Sequence, residues 1–127
     1  MATRNDAISV ALGIFSGRPN PEITLAGASA EELGRLVNTA IGKEPTHPPP
    51  PARLGSYYGF VIRVPRETAA RLSVPSEFSV YGGVITEAAG QQPKYWRDIA
   101  NVERFLIDQS YKEGQGELLE KVGVRKP

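Results

Sequence analysis

Apolar and small residues alternate along residues 7–15, which predicts a β-strand, since successive side chains of a strand point to opposite faces. The larger apolar residues share one face: Ile8, Val10, Leu12 and Ile14. The small residues share the other face: Ala7, Ser9, Ala11 and Gly13. Small side chains there indicate that something packs or passes close to that face.

A run of turn-forming residues, Ser16 to Pro21, interrupts the strand. Gly, Pro and Asn favour the backbone angles of turns. The alternation resumes over Glu22–Leu25, so the pattern predicts a β-hairpin with a six-residue loop.

The next segment predicts an amphipathic helix that ends at Gly42. Ser29 and Glu32 have the spacing of a capping box, in which each side chain satisfies a free backbone N–H of the first turn. Apolar residues then recur at helical spacing: Leu33, Leu36, Val37, Ala40 and Ile41. Gly42 supplies the left-handed residue that commonly ends a helix.

The rest of the chain predicts two strands and a second main helix. Residues 43–56 form a Pro-rich loop, because proline fixes φ and lacks a backbone donor. Strands are predicted over 57–64 and 78–86, the second with a bulge at Gly82-Gly83, and a short helical segment over 65–72. The second main helix covers Trp96 to Tyr111, and the tail 115–127 can hold a short helix.

This mixture of elements predicts an α+β fold. We expect a single compact domain over residues 1–127. Its sheet is predicted to be antiparallel or mixed and four-stranded, with two main helices packed on one face.

Composition narrows the function classes. Fifteen Lys and Arg oppose 14 Asp and Glu, so the basic excess typical of nucleic-acid binding is absent from the sequence. No cysteine occurs, which excludes disulfides and thiol chemistry. No apolar run is long enough for a membrane span, and we expect no signal peptide. A cytoplasmic protein without membrane contact is therefore the expectation.

Candidates for catalysis are few. The single histidine, His47, lies beside the proline run, where no partner for general-base chemistry is evident. Carboxylates could still act as acids or bases, but Asp98 is explained as a helix cap, and Glu103 and Asp108 as a solvent face. We expect no catalytic residue, metal site or cofactor, and the sequence favours a protein that is not an enzyme.

Two features indicate a binding site. Arg18 and Asn20 lie in the turn, which is interpreted either as a rigid hairpin loop or as a holder for an arginine that clamps a carboxylate or phosphate. Aromatic residues beside arginine, as in binding hot spots, form the second feature. The resulting candidate ligand-binding residues are Arg18, Asn20, Tyr81, Tyr95, Trp96 and Arg97.

Three function hypotheses follow. The first is a non-enzymatic binding protein for a peptide or small anionic ligand. The second is a structural or accessory protein acting as a homo-oligomer or subunit, since an edge strand such as Glu22–Leu25 could pair with another chain. The third is an enzyme that uses carboxylates and tyrosines. The run Pro48–Pro51 with Arg53 also resembles a polyproline ligand, although a stiff spacer is the favoured interpretation.

Overall fold

A computed structural model describes residues 7–14, 19–51, 57–87 and 92–126. Its strands are β1 (Ile8–Leu12), β2 (Glu22–Leu25), β3 (Phe60–Arg63), β4 (Glu77–Tyr81), β5 (Val84–Glu87) and β6 (Lys94–Arg97). Its helices are α1 (Ala28–Ala40), α2 (Arg66–Leu72), α3 (Val102–Lys112) and α4 (Gly116–Lys121). Within the described ranges, no helix is long and apolar enough to cross a membrane.

The six strands form one antiparallel sheet in the order β2-β1-β3-β4-β5-β6. The α+β class is as expected, but the prediction of a four-stranded sheet with two main helices is wrong. Six strands and four mostly short helices are present in the described residues. The predicted hairpin of the first two strands is confirmed by the pairing of Val10 with Ile23.

The first additional strand arises because Gly82 and Gly83 make a turn, not a bulge. Their φ angles are +60° and +79°. Two successive positive φ angles define the two-residue turn that suits the twist of a hairpin. The predicted strand 78–86 is therefore two paired strands, β4 and β5.

The second additional strand, β6, replaces the predicted beginning of the second main helix. Trp96 pairs with Ile85 of β5 and Tyr95 pairs with Thr86, in keeping with the preference of aromatic residues for strands. Helix α3 begins only after Asn101, whose φ is +58°. Ile99, which lies within the predicted helix but precedes α3, is 40% exposed.

The hydrophobic core lies on one face of the sheet. Every second residue of the central strands is buried, including Val10, Ile62 and Val80 at 0% exposure. The helices contribute Leu33, Val37 and Leu106 to the same core cluster. The helices therefore cover this core face. Because successive strand residues point to opposite faces, the remaining strand positions lie on the other face of the sheet, which we call the open face.

Helix α1 follows the predicted apolar pattern but not the predicted cap. Leu33, Val37 and Ala40 are buried, and Gly42 has the expected left-handed φ of +81°. The capping box is wrong because the helix begins at Ala28. Ser29 is thus already helical, and its hydroxyl donates to Gln109 Oε1 of α3 at 3.3 Å.

One edge of the sheet is partly covered by the chain itself. The Thr46 N–H donates to the Tyr95 carbonyl at 2.9 Å, and the Arg97 N–H donates to the Glu44 carbonyl at 2.8 Å. These bonds attach the beginning of the Pro-rich loop to β6. The loop then passes the β4–β5 turn, where Pro50 lies close enough to contact a Cβ added at Gly82.

The backbone around Gly59 generates a stability prediction. Gly59 has a φ of +96°, and an added Cβ would lie 2.1 Å from the Val80 carbonyl oxygen of the neighbouring strand. We expect Gly59→Ala to lower the free energy of unfolding by about 3 kcal/mol or more, because left-handed strain and a backbone clash combine. Urea denaturation measures the difference.

Gly42→Ala is the matched control, since Gly42 also has a positive φ but an added Cβ there meets no atom within 4 Å. It should lose only about 1 kcal/mol. Equal losses in the two variants would contradict the role assigned to the close approach at Gly59.

Candidate functional site

The open face carries a row of side chains that crosses all six strands. The pairing registers connect one position of each strand to the next across the sheet. In sheet order the row is Glu22, Ala11, Val61, Ser79, Thr86 and Tyr95. The four central members are small or β-branched, so the middle of the open face is lower than its two ends.

Two shallow cavities follow this low region, each of about 210 Å³. The first lies among Ser9, Ala11 and Glu22, and the second lies among Ser79, Thr86 and Pro93. Both are lined by Val61 of the central strand β3. We call the two cavities together the trough, and the small face predicted for the first strand lines it through Ser9 and Ala11.

Polar groups border this trough. The Ser9 hydroxyl donates to Glu22 Oε1 at 2.5 Å. On the neighbouring row, Arg63 of β3 lies opposite Glu77 of β4, with Nε and Oε1 3.8 Å apart. These side chains are 75% and 56% exposed, so both charges remain accessible to water and to a binding partner.

The six residues predicted as a ligand site do not form one cluster. Arg18 lies outside the described residues. Tyr95 and Trp96 are consecutive in β6 and therefore point to opposite faces of the sheet. Tyr95 ends the row on the open face, whereas Trp96 lies on the core side and donates from Nε1 to Glu87 Oε1 at 2.9 Å.

The other three predicted residues have structural partners. Arg97 lies 3.3 Å from Glu44 in an exposed ion pair. Asn20 accepts a hydrogen bond from the Ile14 N–H at 3.2 Å through Oδ1 and donates to the Tyr58 hydroxyl through Nδ2. These two bonds give Asn20 a structural role at the end of the turn, whose residues 15–18 lie outside the described residues. Tyr81 packs edge-on against Tyr57, with ring centroids 5.6 Å apart.

A hydrogen-bonded network that the sequence did not indicate connects Tyr57 to α3. The Tyr57 hydroxyl donates to Glu103 Oε2 at 2.5 Å, and the Gly83 N–H donates to Glu103 Oε1 at 3.0 Å. Burial, and then the bond to Glu103, raises the pKa of Tyr57 well above its usual value. Glu103 therefore connects α3 to Tyr57 and to the β4–β5 turn, so its predicted role as a residue of the solvent-exposed helix face is wrong.

Asp98 has the cap role that the sequence predicted. Its Oδ1 accepts from the Val102 N–H at 2.7 Å, and its Oδ2 accepts from the Glu103 N–H at 2.9 Å. A carboxylate at this position accepts hydrogen bonds from free amides of the first helical turn and interacts favourably with the positive end of the helix dipole. Both carboxylate oxygens of Asp98 therefore stabilise the beginning of α3.

His47 is exposed, and no group of three or more potential metal-ligating side chains occurs among the described residues. Comparison with family models, curated proteins and solved structures finds no match for this chain. The open face, with its two cavities and its exposed charges, is the candidate functional surface.

The Tyr57 network generates a prediction with a definite pH dependence. At neutral pH we expect Tyr57→Phe to lower the free energy of unfolding by about 1 to 2 kcal/mol, because a hydrogen bond to a charged acceptor is lost. Above about pH 10 an unfolded tyrosine ionises, while the folded Tyr57 keeps its proton. The contribution of Tyr57 should therefore be constant below pH 10 and decrease as the pH rises further.

Urea unfolding of the wild type and of Tyr57→Phe between pH 7 and pH 11 measures this contribution as the difference between their free energies of unfolding. Ionisation of the other tyrosines affects both proteins equally and cancels in the difference. Tyr111→Phe is a useful comparison, because its hydroxyl donates to the Val124 carbonyl and not to a carboxylate. A wild-type advantage over Tyr57→Phe that grows above pH 10 would contradict the assignment.

Proposed function

We propose that this protein is a non-enzymatic binding protein that holds a peptide or protein surface against the open face of its sheet. The observation that carries the proposal is the row across the sheet whose four central members are small or β-branched. A partner would lie in the trough over Val61 and contact the polar groups at its margins.

The shape of the open face supports binding of an extended or flat partner. Neighbouring strands lie about 4.8 Å apart, so the row is about 24 Å from β2 to β6. The cavities are shallow, unlike the deep and mostly apolar pockets that enclose small molecules. Small side chains allow a partner to approach the sheet closely, and the hydroxyls of Ser79 and Thr86 can form hydrogen bonds with it.

The carboxylates favour binding over acid–base catalysis. Glu103 accepts from Tyr57 and Gly83, and Asp98 accepts from two amides of α3. Their hydrogen bonds stabilise the fold. A small anionic ligand remains a hypothesis that depends on Arg18, because Arg97 is paired with Glu44.

Photocrosslinking from the open face tests the proposal. A photoreactive amino acid replaces Val61 in the trough, and in a control protein it replaces Thr39, an exposed residue of α1. After irradiation in lysate of the native cells, we expect a discrete protein adduct from position 61 and none of the same mass from position 39. A second substitution, Ala11→Trp, should reduce that adduct because it fills the trough beside Val61.

The absence of any specific adduct at position 61, or an identical set of adducts at both positions, would refute the open face as the binding surface. A discrete adduct that Ala11→Trp leaves unchanged would place the contact outside the trough.

A further inference from the structure

The two central strands carry opposite charges side by side on the open face. Arg63 belongs to β3 and Glu77 to β4, and their Cα atoms are register partners. At 3.8 Å, with both side chains mostly exposed, their ion pair is loose. Exposed pairs of this kind contribute little to the stability of a monomer, so both groups can also interact with a second molecule.

We infer that the partner of the open face is a second copy of this chain, packed face to face about a two-fold axis. The axis would run parallel to the strands between β3 and β4, midway between the two sheets. The inference rests on the proposed function, since it names the partner for the same surface. The resulting interface is isologous, so each contact occurs twice.

The register makes the charges self-complementary under this symmetry. Rotation about the axis places β3 of one copy over β4 of the other and keeps each row at its level. Arg63 then faces Glu77 of the partner subunit, and Glu77 faces Arg63 of the partner subunit. The four charges alternate in sign around the axis, and networks of this kind bind better than isolated exposed pairs.

The small row fits the same arrangement. Val61 faces Ser79 of the partner subunit, so no large side chain separates the central strands. Packed sheets lie about 10 Å apart and are rotated by about 30°. Residues beside the axis, such as Val61 and Arg63, still face the same residues of the partner subunit after this rotation. Residues on the outer strands are displaced from the positions directly opposite them.

The size of the open face sets the expected strength. Six strands of about four residues cover an area of about 24 by 14 Å in each copy, well below the ~800 Å² per partner of a standard interface. The dimer should therefore be weak, with a Kd on the order of micromolar or higher. Sedimentation equilibrium should show a mass that rises with concentration from 13.8 kDa toward twice that value.

Charge reversal tests the arrangement through a mixing experiment. Arg63→Glu puts four negative charges at the axis, and Glu77→Arg puts four positive charges there. Each variant alone should self-associate at least about tenfold more weakly than the wild type, because like charges oppose each other. An equimolar mixture of the two should associate again, since each negative position then faces a positive one.

The mixture distinguishes the loss of contacts between two copies from the loss of the Arg63–Glu77 pair within one copy. That intrachain pair stays broken in both variants, so only contacts between copies can restore association. Arg35→Glu, which breaks the exposed pair with Glu32 on α1, is the matched control and should leave the mass unchanged. A wild type that is monomeric at every concentration, single variants that associate normally, or a mixture that remains monomeric would overturn the dimer. A foreign-protein adduct from position 61 would then still uphold the proposed function.

Discussion

Burial of only one face of the sheet is the constraint on which the rest of the structure depends. Val10, Ile62 and Val80 are all fully buried on the core face. Because side chains alternate along each strand, a shift of one residue in any pairing would move these groups into water. The same register that buries the core therefore fixes which residues reach the open face and which of them are neighbours.

Several polar contacts hold the ends of the elements in that register. Glu103 connects Tyr57, the β4–β5 turn and α3, while the segment before the proline run bonds to β6. Such contacts add modest stability individually. Their larger effect is to order the second half of the sheet, so that a partner meets a surface whose shape is already formed.

Sequence periodicity predicted the elements that obey one simple pattern and failed where two patterns compete. Val10 and Val37 lie as predicted, because their segments have clear periods of a strand and a helix. Trp96 is predicted to begin a helix, yet it lies in β6, and its pairing with Ile85 depends on a hairpin formed elsewhere. The sequence predicts only part of the open face. Alternation identifies the small residues of β1, but the residues beside them on the other strands depend on the strand order and register, which the sequence pattern does not give.

A partner could also pair with the edge strand β2, but the structure favours the face over this edge. The Leu12 N–H donates to the Pro21 carbonyl, so by alternation the outward amides of β2 are those of Glu22 and Thr24. An edge of four residues, preceded by proline and bearing an exposed carboxylate, has the features by which proteins prevent edge pairing. The central open face has no comparable barrier among the described residues, because its one pair of opposite charges becomes attractive when two copies meet about the two-fold axis.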